Sequence, residues 1–172
     1  MTRLALALFV CTSLLGHAAR AEPSLVIVVR HAEKAAEPKD DPALSPAGEQ
    51  RAQQLATALA DAQVSAILTT QYRRTQLTAA PTAKHFGITP TVITARREAP
   101  DAHVPEVLAA IRALSGVVLV VGHSNTVPEI VAGLSHTTPK AMCEGCYSDL
   151  FLVSPQVVGG ALVQSHYGIP AQ

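Results

Sequence analysis

Hydrophobic positions along the chain alternate between two spacings. Ser24–Val29 is a β-branched apolar run bounded by Pro23 and by Arg30-His31, and it reads as a strand buried on both faces. Gln63–Leu68, Thr91–Thr94, Val117–Val121, Leu150–Val153 and Ala161–Val163 are further strand candidates. Between them the spacing becomes helical. Gly48, Ala52, Leu55, Ala56 and Leu59 share one face, after a Ser45-Pro46 pair that reads as an N-cap with proline at the first helical position. Val104, Val107, Leu108, Ile111 and Leu114 share another, ended by Ser115-Gly116, and Val127–Leu134 forms a further helix. Strands separated by helices predict an α/β fold, a three-layer αβα sandwich around a mainly parallel sheet. Glu37–Pro42 reads as a polar, proline-bounded loop and nothing more.

The first residues follow a different pattern. Met1–Arg3 is a short basic start, Leu4–Leu15 an apolar run, and Ala19-Arg20-Ala21 a small-x-small cleavage site. Residues 1–21 are therefore expected to be a secretory signal peptide cut after Ala21, and residues 22–172 a single domain, secreted or periplasmic. Acylation at Cys11 is disfavoured by the bulky Val10 before it. The 13 basic and 13 acidic residues balance, and losing Arg3 and Arg20 leaves a mild negative excess. Such a chain lacks the basic face that nucleic acid requires. A hydrophobic fraction of 48% excludes disorder, and no later stretch is long and apolar enough for stable membrane insertion.

Without Cys11, the cysteines are Cys143 and Cys146. Zinc would need about four ligands, and no second pair stands nearby. A redox dithiol would normally open the first helix after a strand, whereas this pair lies late in a loop. A local disulfide tightening that loop is the expectation, with free thiols as the alternative.

Candidate chemistry collects where strands end, since open α/β sheets bind ligands beyond the carboxyl ends of their strands. Arg30, His31, Ala32, Glu33 and Lys34 follow the first strand; Gly122, His123, Ser124 and Asn125 follow the Val117–Val121 strand. Two histidines at equivalent positions are hard to explain by packing. His85, His103, His136 and His166 lack such placement and read as structural or solvated.

Four motifs then converge. Val28-Val29-Arg30-His31-Ala32-Glu33-Lys34 resembles the Arg-His-x-Glu signature of the histidine phosphatase superfamily, in its phosphoglycerate mutase-like branch. Leu44–Ala52 resembles the segment opening that family's first helix, Thr70–Ala79 its Arg-containing block, and Val120–Asn125 its second histidine motif. They occur in family order across the chain.

The resemblance implies a compact fold without a large cap domain and a metal-independent phosphoric monoester hydrolase needing no cofactor. His31 matches the nucleophile that forms phosphohistidine, with its other ring nitrogen expected on a backbone carbonyl. Arg30 and Arg74 match the phosphate-binding arginines; Arg74 rather than Arg73 stands four residues before Thr78. His123 is expected to donate to phosphoryl oxygens as imidazolium, its pKa raised by bound phosphate and lowered by the guanidiniums. Ser124 and Asn125 are expected to support the phosphate pocket or cap a helix. The general acid is Glu98 first and Asp101 second, although both also read as solvated carboxylates. Gln71-Tyr72 departs from the family's usual Pro-Leu at the rim.

The expected substrate is a small phosphate ester or an exposed phosphoryl group outside the cytoplasm, a sugar phosphate or envelope glycolipid by compartment. The alternative is a catalytically weak or silent phosphate- or phosphoglycan-binding protein of the same fold. A metal site built from His31, His123 and the cysteine pair is disfavoured by their separation. Oligomeric state is left open.

Overall fold

β1 (Leu25–Arg30) is central because both of its faces are apolar: Val26, Ile27, Val28 and Val29 are all buried. In the computed structural model, which describes residues 22–96 and 98–168, it lies fourth in a six-stranded sheet of order β3-β2-β4-β1-β5-β6. The expected signal peptide lies outside the described residues. The other strands are β2 (Val64–Thr69), β3 (Thr91–Val92), β4 (Val117–Gly122), β5 (Asp149–Ser154) and β6 (Ala161–His166). β1 to β4 run parallel, whereas β5 is antiparallel to β1 and to β6, so the sheet is mixed but mostly parallel. All six expected strands are present, although β3 pairs through only Thr91 and Val92.

Four helices cover the two faces: α1 (Pro46–Ala58), α2 (Arg73–Phe86), α3 (Pro100–Arg112) and α4 (Thr126–Ser135). Val26, Val28, Val118 and Val120 face one way, against Val107 and Ile111 of α3 and Val127, Ile130 and Leu134 of α4. Ile27, Val29, Leu119 and Val121 face the other, against Leu55 of α1 and Ala79 and Ala83 of α2. The unbroken apolar runs of β1 and β4 thus reflect burial on both faces. The result is the expected αβα sandwich, without a cap domain. Among the described residues, no helix is long and apolar enough to cross a membrane.

Ser45 caps α1 as expected, its Oγ accepting from the Gly48 amide at 3.2 Å. α3 stops at Arg112, short of Leu114. α2 has no counterpart in the hydrophobic pattern. Its buried residues are Thr75, Thr78, Ala79, Thr82 and Ala83, and Pro81 interrupts its amide ladder. Threonine and alanine give little amphipathic signal, and a proline normally marks a boundary, so tertiary packing overrides local preference here.

Register brings the chemistry to one edge. Arg30 pairs with Gly122, and the His31 amide donates to the Gly122 carbonyl at 2.9 Å, extending the ladder one residue past the strands. His31, His123 and Thr70 therefore leave neighbouring strands at the same end of the sheet.

Candidate active site

His31 is buried, and its Nδ1 lies 2.7 Å from the Ala32 carbonyl oxygen. A carbonyl cannot donate, so Nδ1 carries the proton and Nε2 keeps its lone pair. The loop is held from two sides. The Ala32 amide donates to Thr78 Oγ1 at 2.9 Å, and Thr78 Oγ1 donates to the Arg74 carbonyl at 2.7 Å. The four-residue spacing between Arg74 and Thr78 is thus one turn of α2 tied to the loop after β1. Glu33 takes the Arg51 side chain of α1, with Nε at 2.8 and 2.9 Å from its two oxygens and Nη2 at 2.7 Å. The glutamate of the first motif is a brace.

His123 faces His31 with ring centroids 5.4 Å apart. Its Nε2 is 3.1 Å from Thr70 Oγ1, and its Nδ1 is 3.5 Å from Arg74 Nη2. A guanidinium has no lone pair, so Nδ1 is the acceptor and Nε2–H donates to Thr70. Thr70 is fixed in turn by Thr75, with the two hydroxyls 2.9 Å apart. The His123 amide donates to Thr126 Oγ1 at 3.1 Å, at the start of α4.

Two guanidiniums wall the cleft. Arg30 is 4% exposed; its Nη1 donates to the Cys143 and Glu144 carbonyls at 3.0 and 2.8 Å, while its buried Nε has no acceptor among the described residues. Arg74 lies 3.9 Å from Asp41 and stacks on Tyr72, with Cζ 4.3 Å from the ring centroid. Arg73 faces solvent. Each arginine thus rests on a tyrosine, since Arg30 Cζ is also 4.3 Å from the centroid of Tyr147.

Burial in this cationic setting keeps both imidazoles neutral. Burial is the main cause lowering His31 to about 4; the Ala32 hydrogen bond opposes it, and Arg74, Arg30 and Lys34 reinforce it. His123 falls to about 3, again through burial first and then through Arg74 and the neighbouring histidines. Without an anion beside it, His123 is therefore a neutral imidazole. An imidazolium there requires an anion beside it.

Ser124 and Asn125 line the cleft, and Asn125 is the N-cap of α4 without a side-chain capping bond. Glu98 is exposed on the turn before α3, and Asp101 is exposed in the first turn of α3. Neither lines the cleft. Glu144 does, and so does His103.

Three readings need correction or extension. The 37–42 loop does more than connect, because Asp41 Oδ1 accepts from the Arg73 amide at 3.0 Å at the start of α2 and also faces Arg74. His103, read as structural or solvated, is not solvated. It is buried in the cleft wall, its Nδ1 lacks a partner among the described residues, and burial lowers its pKa. The signal was its spacing: 103, 107 and 111 are the buried positions of α3. Gln71, at the departure from the family's pattern, exchanges two 2.9 Å hydrogen bonds with the Ala95 backbone and so fixes the rim. The cysteine pair is disulfide-bonded, as expected. His85, His136 and His166 lie outside the cleft lining.

Residues 26–100 match the model of the histidine phosphatase superfamily, branch 1. No curated protein matches the sequence significantly. Among solved structures, the fold resembles a candidate phosphohistidine phosphatase SixA from Agrobacterium tumefaciens, with TM-score 0.64 and 23% identity over 87% of this chain and 99% of that one. A protein histidine phosphatase SixA complexed with tungstate gives TM-score 0.65 and 21% identity, over 83% and 96% of the two chains. A mycobacterial glucosyl-3-phosphoglycerate phosphatase with inorganic phosphate gives TM-score 0.57 and 17% identity, over 85% and 97%. At such identities the likeness is one of fold.

Proposed function

We propose that this chain, whose residues 26–100 match the histidine phosphatase superfamily, branch 1, is a phosphatase of that family and hydrolyses phosphate monoesters through a phosphohistidine on His31. The observation that carries this reading is a neutral His31, locked by Ala32 through Nδ1, facing His123 between two guanidiniums. The Nε2 lone pair attacks phosphorus as the bond to the leaving oxygen breaks. Water then attacks the phosphohistidine and releases phosphate, regenerating the imidazole.

Negative charge on the transferring phosphoryl group is the main electrostatic burden, and Arg30, Arg74 and His123 bear it. The two arginines give forked donors. A phosphoryl dianion near Nδ1 of His123 favours a proton there, turning an acceptor edge into a donor. Ser124 and Asn125 support the same anion from the start of α4. Glu98, exposed on the turn before α3 and outside the cleft lining, must turn inward to supply the proton that a poor leaving alkoxide needs.

The substrate is a small or exposed phosphate ester met outside the cytoplasm. An open cleft, the tungstate and phosphate held by two similarly folded proteins, and the signal-like first 21 residues support this assignment. So does the disulfide, which suits an oxidising compartment. N-terminal sequencing of exported protein, expected to begin at Glu22, checks the location.

The decisive experiment is rapid trapping of labelled phosphate in alkaline detergent, where the phosphorus–nitrogen bond survives, on the parent and on His31→Ala. Label is expected on the parent alone. Equal label on both removes His31 as nucleophile; phosphate binding without turnover in the parent supports the silent binding protein instead.

A further inference from the structure

The Cys143-Glu144-Gly145-Cys146 segment has no role in the chemistry described above, yet the Arg30 guanidinium rests on it. Arg30 Nη1 donates to two successive carbonyls, of Cys143 and Glu144. Tyr147, one residue beyond the loop, stacks on the same guanidinium and lies 6.2 Å, centroid to centroid, from His31. Successive carbonyls point in opposing directions in extended chain, so converging on one nitrogen requires a tight turn. That turn is closed by the Cys143–Cys146 disulfide and by the Cys146 amide donating to the Cys143 carbonyl at 3.1 Å. Among the described residues, no other hydrogen bond ties residues 138–146 to the rest of the domain than those from Arg30.

This arrangement divides the guanidinium. Nη1 serves the loop. Among the described residues, Nε is buried without an acceptor, and Nη2 meets the Glu144 carboxylate at 3.5 Å, on a side chain that is 95% exposed. The Nε and Nη2 edge is the fork left for two phosphoryl oxygens.

We propose that the Cys143–Cys146 disulfide loop is a positioning element for phosphoryl binding: its turned carbonyls hold Arg30 by Nη1 and reserve the Nε and Nη2 fork for the substrate. The inference rests on the reading of Arg30 as a phosphate-binding residue. It makes the phosphatase sensitive to thiol reductants. A dithiol delivers two electrons and two protons, the S–S bond breaks to two thiols, and the dithiol becomes a cyclic disulfide. Cys143 is exposed and Cys146 half-buried, so the bond is within reach.

The test compares the oxidised protein with dithiothreitol-reduced protein and with the Cys143→Ser/Cys146→Ser variant. It reads kcat and KM for p-nitrophenyl phosphate, and inorganic phosphate affinity by calorimetry. Opening the loop is expected to weaken phosphate binding about tenfold and lower kcat/KM on the order of 10- to 100-fold, with near-UV circular dichroism retained. Reoxidation restores the parent values. In an Arg30→Lys background the same opening has little further effect, because lysine has no fork to orient.

Unchanged kcat/KM and phosphate affinity on reduction overturn the proposal, as does an equal loss in both backgrounds, which marks a merely structural loop. Loss of the near-UV spectrum overturns it too, since so short a closed loop would then be serving stability. If the oxidised parent neither hydrolyses the ester nor binds phosphate, the phosphatase reading falls and this inference with it. An active parent indifferent to reduction sinks the loop's role alone.

Discussion

His31 and His123 meet edge to face, their centroids 5.4 Å apart and their planes at 65°, and a charge on His31 disfavours a proton on His123. Burial and the two arginines add to that effect, so the free site enters catalysis with both rings neutral. The acid limb of kcat/KM, which reports the free enzyme, is therefore expected near pH 4, where His31 protonates and its lone pair is lost. A pH profile with a substrate of invariant charge checks this. An acid limb between pH 6 and 7 would place the nucleophile in a far more solvated setting.

The same shift makes stability depend on pH. His31 has a folded pKa of about 4 against an ordinary 6.5, so between those values the unfolded chain binds more protons. Stability then rises with pH across that window: the contribution is fully present above pH 6.5 and is lost as pH falls toward 4. For His31 alone the loss is about 3 kcal/mol. Urea unfolding at pH 7 and pH 4.5 measures it, and His31→Asn is expected to flatten the slope. A parent with equal stability at both pH values rules this out.

Arg73 and Arg74 are adjacent but differ in surroundings, Arg73 facing solvent and Arg74 stacked on Tyr72 beside His123. Arg74→Lys is expected to cut kcat on the order of 100-fold, because an ammonium cannot replace the fork. Arg73→Lys is expected to stay within about twofold of the parent, as befits an exposed charge. Steady-state kinetics on purified variants separate the two. Reversed effects would exchange the residues' roles.

What the sequence made legible follows from where its signals are strong. Two-sided burial writes itself as unbroken valine and isoleucine, so β1 and β4, and the histidines just after them, were visible at once. Arg74 was legible through its distance from Thr78, and the structure supplies the reason, since the Thr78 hydroxyl bridges the Arg74 carbonyl to the Ala32 amide. α2 was hidden because threonine and alanine form its buried face. Asp41 and the role of the 143–146 loop were hidden for another reason. Each reaches the cleft through contacts between distant segments, which no local pattern records.

Glu98 and Glu144 offer a test of proton delivery. Glu98 lies exposed at the turn before α3, whereas Glu144 lines the cleft on the Arg30 side. Nitrophenolate leaves without a proton and an alkoxide does not. Glu98→Gln is therefore expected to slow an alkyl phosphate on the order of 100-fold while barely affecting p-nitrophenyl phosphate. A loss confined to Glu144→Gln would move the acid to the other wall. Equal losses on both esters would remove Glu98 from this role.

α1 approaches the loop that carries His31 closely. A Cβ on Gly48 would collide with the Glu33 carbonyl oxygen, the same oxygen that accepts from the Ser45 amide at 2.9 Å. The obstacle is backbone rather than a flexible side chain, so no rotamer relieves it. Gly48→Ala must push α1 away from the 31–34 segment, straining the Ser45 bond and the pairing of Glu33 with Arg51. Alanine favours helix over glycine by up to about 1 kcal/mol, but overpacking costs about 1–3 kcal/mol, so the collision wins. Net destabilisation of about 1–2 kcal/mol is expected in urea unfolding, together with reduced kcat, because His31 is carried on the displaced segment. A variant as stable as the parent would show that the loop gives way freely, and that the glycine of the second motif is not there for close approach.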